Sequence, residues 1–273
     1  PRYVTVETSH GRFVGRVLVG ADGAHSRVRG LIVGQSRVPT AIGIQALLER
    51  NRDDVYEGRE CLLDFGTGQG GYGWVFPKAD HINVGLYRLP GFAGRRLKRD
   101  IEAFIEGRPE LKGRKRIGTM AHPIPVSPVQ SLVSVGGRVI LAGDAAGLCE
   151  SFYGEGIAHA LTSGRLAAES VLAFLAGEKK LGAYGSLLRP MFRQLRDSRR
   201  LAGLFYGHPE FGFRRFVRNR LTSNLFAGLL AGRFSYRACM LAAAVLLPWT
   251  YVGPRLGAVE FVTEDRPPGA ASR

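Results

Sequence analysis

Residues Val139 to Glu169 constrain the fold more than any other stretch of this chain. The apolar run Val139-Ile140-Leu141-Ala142 stops at Gly143-Asp144. After a second turn, Gly154-Glu155-Gly156, an apolar helical period runs from Ile157 to about Leu175, with Gly177 as its stop. A short run of branched residues closed by Gly-Asp reads as a buried strand. Strand, tight turn and helix together form a unit of an open α/β sheet, and such sheets bind ligands at the C-terminal ends of their strands. Gly143 lets the backbone approach a ligand closely. Asp144 can accept hydrogen bonds from a ribose hydroxyl. Gly154 and Gly156 leave backbone N–H groups uncovered at a helix start, where the macrodipole favours negative charge. Ala160, Gly164, Ala167 and Ala168 are small enough for the helix to pack tightly.

A second string of this kind, Gly20-Ala21-Asp22-Gly23-Ala24-His25-Ser26-Arg27-Val28-Arg29, follows directly on a strand. The alternation predicts strands over Tyr3 to Thr8 and Phe13 to Gly20, joined by a turn at His10-Gly11. Asp22-Gly23 breaks the second strand, and a short helix is expected from Ser26 to about Leu31. Between Thr40 and Val135 the apolar period is mostly that of strands. Tyr72, Trp74 and Phe76 share one strand face, Ile82, Val84 and Leu86 share a face of the next, and Lys78 to His81 turn between them as a β-hairpin. One helix, about Arg95 to Glu106, interrupts this region. Pro123, Pro125 and Pro128 mark an extended return, and the sequence beyond about residue 180 is helical and rich in arginine.

Cys61, Cys149 and Cys239 are odd in number and far apart, so they make neither a disulfide framework nor a metal-ligand pair. The histidines are scattered, which argues against a metal site. Cys149 lies in the glycine-rich loop, but a buried cysteine is more often packing than catalysis.

The two strings carry a resemblance. Gly20 to Arg29 resembles the DG motif of flavoprotein hydroxylases and their relatives, where the Asp lies near the FAD pyrophosphate and the path of the nicotinamide nucleotide. Gly143 to Glu169 resembles the GD motif and glycine-rich helix start of the same superfamily. Tyr72-Gly73-Trp74-Val75-Phe76-Pro77, with Gly85 further on, resembles the YxWxFP…GxG signature of geranylgeranyl reductases, which lines a cavity for a polyprenyl chain. The likeness runs from about Gly20 to Arg237. Two positions depart from it: Tyr87 stands where the signature ends in glycine, and Ser151 stands where many relatives carry proline. The resemblance implies an α/β fold: a partial FAD-binding Rossmann-like domain over 1–38 and 137–180, with an inserted antiparallel β-sheet substrate domain over 39–136. A C-terminal helical region over 181–255, with a possible membrane-facing side, and a disordered tail over 256–273 would follow.

It also implies the chemistry. Asp22, Gly23, Gly143, Asp144, Gly154, Glu155, Gly156 and Ile157 would hold FAD, with NAD(P)H or another reductant as electron donor. Tyr72, Trp74, Phe76 and Pro77 would line the site of a hydrophobic isoprenoid or lipid substrate. The expected reaction is reduction of geranylgeranyl-type double bonds by hydride from reduced flavin. An FAD-dependent aromatic or isoprenoid monooxygenase shares both nucleotide motifs, and an inactive remnant or a lipid-binding protein is the reading without catalysis.

The GxGxxG fingerprint that opens complete members does not occur. Gly66 to Gly71 is glycine-rich but leads into the hairpin strand, not a helix. The chain is therefore read as truncated at its N-terminus, and weak or absent FAD binding is expected of it alone. The formal charge is +15, and nine arginines fall between Arg189 and Arg220 against only Asp197 and Glu210, interleaved with aromatic and apolar residues. No nucleic-acid motif accompanies them. They form a solvated helix face or a surface that meets anionic headgroups, which is compatible with a cytoplasmic chain resting peripherally on the inner membrane face. The uncharged stretch Ala238 to Pro254 is cut by Pro248 and reads as a docked or interfacial helix. Oligomeric state is not legible.

Overall fold

The computed structural model describes residues 2–34, 38–50, 61–67, 70–92, 94, 96–129, 131–134, 136–208, 212 and 220–246. The expected tail lies outside them. The chain divides into two compact units, 1–42, 89–91 and 122–204 in one, 43–88, 92–121 and 205–273 in the other.

In the first unit, β1 (Val4–Thr8) and β2 (Gly11–Gly15) form an antiparallel hairpin. β3 (Leu18–Gly20) does not continue β2. It pairs in parallel with β9 (Val139–Leu141), in the register Leu18↔Val139, Val19↔Ile140 and Gly20↔Leu141. Local alternation runs through Arg16 and Val17 without showing that change of partner, because a partner more than a hundred residues away leaves no trace in neighbouring residues. Helix α1 (Arg27–Val33) follows the Asp22-Gly23 turn. It packs so closely on the sheet that a Cβ on Gly20 would lie 2.7 Å from both Leu141 and Val28 side-chain carbons.

Helix α3 (Ile157–Leu175) has the expected bounds, and Gly177 follows its end at φ +79°. Its buried side, with Ser163, Ala167 and Ser170, meets a core of Ile140, Leu141, Ala145, Leu148, Leu181, Leu188 and Leu195. α4 (Ala183–Leu187) inserts Tyr184 into that core. The Tyr184 hydroxyl donates to Leu141 O at 2.9 Å and Ser163 O at 3.3 Å, so one buried phenol ties β9 to α3 without leaving its own polar atom unpaired. α5 (Arg189–Gly207) turns Arg189, Arg193, Arg196 and Arg200 outward while Met191, Leu195 and Ser198 are buried.

The second unit holds a five-stranded sheet in the order β5 (Leu62–Asp64), β6 (Gly71–Pro77), β7 (His81–Arg88), β4 (Thr40–Glu49), β8 (Arg116–Pro125). The ends of β4 and β8 run into the first unit. β6 and β7 are the expected hairpin, closed by Lys78 N–H donating to His81 O at 2.8 Å. α2 (Leu97–Glu106) buries Leu97, Ile101, Phe104 and Ile105. Phe104 presses on Gly73, where a Cβ would sit 2.5 Å from the ring. Arg108 stacks 3.7 Å above that ring and pairs with Asp64. α6 (Arg220–Leu230) and α7 (Tyr236–Leu246) complete the described chain. Leu241 and Val245 on α7 are exposed, and among the described residues no helix is long and apolar enough to cross a membrane.

Candidate functional site

β3 and β9 are neighbours and run in the same direction, so the turns that follow them open at the same edge. Asp22-Gly23 and Gly143-Asp144, some 120 positions apart in sequence, are thereby brought together. This is the sheet edge at which parallel α/β proteins bind ligands.

Arg29 fastens the two turns to each other. Its Nη1 donates to Asp144 O and Ala145 O, both at 3.2 Å, and its Nη2 donates to Ala24 O at 2.7 Å. Asp22 is turned into its own loop. Its Oδ1 accepts from Ser26 Oγ at 2.5 Å and its Oδ2 from the amides of Arg27 at 2.8 Å and Val28 at 3.2 Å. Partial burial pushes this carboxyl up, but the Ser26 hydroxyl and the amide donors outweigh it and hold the pKa below the ordinary value. Ser26 Oγ in turn caps α1 by accepting from Arg29 N–H at 2.9 Å. Gly23 lies at φ +77° with open space where a side chain would be.

After β9 a single 3₁₀ turn, Gly143–Ala146, carries Asp144. Gly143 has φ +58°, and its N–H donates to Ser163 Oγ at 3.0 Å. Asp144 accepts from the Cys149 thiol at 3.1 Å. Burial, reinforced by the Asp144 carboxylate, raises the Cys149 pKa far enough to keep the thiol protonated. That makes it a packing and hydrogen-bonding group, not a nucleophile. Gly156 seals the arrangement, since a Cβ there would sit 2.7 Å from Cys149 Sγ.

The loop between Glu150 and Gly156 is built on a buried carboxylate. Glu150 is 2% exposed. Its Oε1 accepts from the amides of Tyr153 at 2.6 Å and Glu155 at 3.0 Å, and its Oε2 from Phe152 N–H at 2.8 Å and Ser198 Oγ at 2.6 Å. Ser198 Oγ also accepts from Ser151 N–H at 2.9 Å, so α5 braces the loop. With these donors both oxygens of the buried carboxyl are satisfied. Of the amides beside the two glycines, that of Glu155 is taken by this internal carboxylate. What remains at the start of α3 is Gly156 as N-cap with no side-chain capping bond, Gly154 at φ +78°, and Ile157, 81% exposed. Burial and the Glu150 charge push the Glu155 carboxyl up.

In the second unit, β6 places Tyr72, Trp74 and Phe76 on one face, with Trp74 and Phe76 stacked at 6.1 Å. The Trp74 ring lies flat on Gly85, where a Cβ would be 2.1 Å from it. Tyr87, at the position of the signature's last glycine, is buried with its ring 5.5 Å from that of Tyr72, so it takes up space that a glycine would leave. Pro77 alternates to the opposite face together with Val75 and is buried, which separates it from the other three aromatic-signature positions. Arg29, Glu150, Ser198, Gln45 and Asn83 escaped the sequence reading. Only Arg29 had a signal, as an arginine within the Gly20 to Arg29 string.

No family model matches the chain. It is 36% identical over 186 residues to the chloroplastic geranylgeranyl diphosphate reductase of Oryza sativa subsp. japonica, covering 63% of this chain and 37% of that one. Against the geranylgeranyl diphosphate reductase of a Synechocystis strain it is 36% identical over 169 residues, 58% of this chain and 39% of that one. The chain is thus similar to part of the geranylgeranyl reductases. It spans less than half the length of these family members. A geranylgeranyl bacteriochlorophyll reductase-like structure from Thermoplasma acidophilum has a similar fold, with a TM-score of 0.65 at 21% identity, covering 92% of this chain and 64% of that one.

Proposed function

We propose that this chain carries flavin-contacting and isoprenoid-contacting parts of an FAD-dependent oxidoreductase that reduces geranylgeranyl-type carbon–carbon double bonds. The observation that supports it most is the meeting of the Asp22-Gly23 and Gly143-Asp144 turns at the ends of adjacent parallel strands. The residues present fit a flavin nucleotide: glycine backbone at Gly23, Gly143 and Gly154, the Asp144 carboxylate, and the uncapped start of α3 at Gly156 and Ile157. When bound, reduced FAD supplies the hydride, drawn from NAD(P)H or another reductant. Asp144, its carboxylate fixed by the Cys149 thiol, would accept from cofactor hydroxyls. The α3 start favours negative charge. Trp74 and Phe76 present an apolar surface that orients a polyene and keeps water from it. The outward arginines of α5 suit peripheral contact with anionic lipid.

The test supplies the purified chain with FAD, dithionite as reductant and geranylgeranyl diphosphate under nitrogen, with and without anionic liposomes, and follows the product by mass spectrometry. The expected product gains two hydrogens per reduced double bond, more of it with liposomes. Product that forms only in air and carries oxygen would indicate a monooxygenase. No product, together with an unperturbed flavin spectrum on titration, would refute the proposal.

A further inference from the structure

On the sheet face of Trp74 and Phe76 runs a short chain of hydrogen bonds whose direction is set at one end. An indole N–H can only donate. Trp74 Nε1 donates to Asn83 Oδ1 at 2.8 Å. This fixes the Asn83 amide with its nitrogen towards β4, where Nδ2 donates to Gln45 Oε1 at 3.0 Å. With its carbonyl so engaged, Gln45 must turn its Nε2, and both N–H bonds on it, away from Asn83. Among the described residues nothing accepts from that nitrogen. Gln45, Asn83, Trp74 and Phe76 are all half-buried. An amide donor at the margin of such a face is satisfied only if water or a ligand oxygen meets it.

We propose that Gln45 Nε2 reads a neutral acceptor oxygen, of the ester or ether class, on an isoprenoid whose hydrocarbon part lies along Trp74 and Phe76. The inference rests on the isoprenoid reading above and adds to it the polar feature the substrate must carry. The direction of the chain makes it specific. With the amide nitrogen outermost, the site prefers an acceptor, and reversing Gln45 would reverse the preference. A neutral donor also makes no demand for a charged head.

The test measures equilibrium binding of the full chain, by calorimetry, to geranylgeranyl acetate and to the same hydrocarbon ending in a methyl group. The wild-type chain is expected to prefer the acetate by roughly two- to tenfold, the range of one net hydrogen bond. Gln45→Leu should bind both probes equally. Asn83→Asp keeps an acceptor for Trp74 but cannot donate to Gln45, whose amide then turns to donate inward and presents its carbonyl. The acetate preference should vanish although Gln45 is still present, which loss of packing would not produce. If Gln45→Leu does not fold, as read by circular dichroism, Asn83→Asp carries the test. An acetate preference that survives in both variants, or is missing from the wild type, overturns the inference while leaving the isoprenoid reading intact. Failure of both probes to bind any variant removes that reading, and this inference with it.

Discussion

Ser198→Ala tests whether the buried carboxylate is the keystone of the glycine-rich loop. The Ser198 hydroxyl donates to Glu150 Oε2 at 2.6 Å and accepts from Ser151 N–H at 2.9 Å, and the side chain is fully buried. Truncation leaves almost no cavity, so packing loss does not confuse the result. A hydrogen bond to a carboxylate is worth about 1.5–3 kcal/mol, and taking away an acceptor that a buried amide uses costs about 1–3 kcal/mol. These overlap, because Glu150 keeps its amide donors and the loop can shift slightly. An overall loss of about 3 kcal/mol is expected, which for a chain of this size lowers the melting midpoint by roughly 6–12 °C. Urea titration should move the midpoint to lower concentration with an unchanged slope. A thermal midpoint within about 1 °C of the wild type would show that Ser198 is incidental to the loop.

Two further substitutions probe the same region. Gly156→Ala forces a methyl group to within 2.7 Å of Cys149 Sγ and should cost about 1–3 kcal/mol by overpacking. The double variant with Cys149→Ala should recover much of that, and a strictly additive urea-unfolding cycle would contradict the contact. Glu155→Gln should raise the melting midpoint at pH 7. The Glu155 pKa is raised in the folded chain, first by burial and then by Glu150, so its charged form is disfavoured there. That penalty is full above the raised pKa and disappears below the unfolded value of about 4.3. The variant's advantage should therefore fade as pH is lowered through this window, and an advantage that grew instead would reverse the assignment.

Much of the fold was legible because its signals are local. α3 has its expected bounds, since an uninterrupted apolar period lies between Gly156 and Gly177. The Lys78 to His81 turn likewise sits between two alternating runs. The split of Phe13 to Gly20 into two strands was hidden, because β3 takes its partner from β9, over a hundred residues on. The two glycine-rich strings could be read as a ligand edge, but not the residues that support it. Glu150 and Ser198 are far apart in sequence and of types common on surfaces, and only the folded loop shows them as a pair. Pro77 fell within a signature string, yet strand alternation alone assigns it to the face opposite Trp74 and Phe76.

The internal carboxylate of the loop has a consequence for binding energetics. A phosphate- or flavin-binding loop that orders only around its ligand charges the ligand for that ordering, on the order of 1 kcal/mol for each residue's backbone. Here Glu150 already holds the amides of Phe152, Tyr153 and Glu155. An arriving anion at the α3 start thus meets a loop whose conformational entropy was spent during folding, and its contacts appear almost undiminished in the affinity.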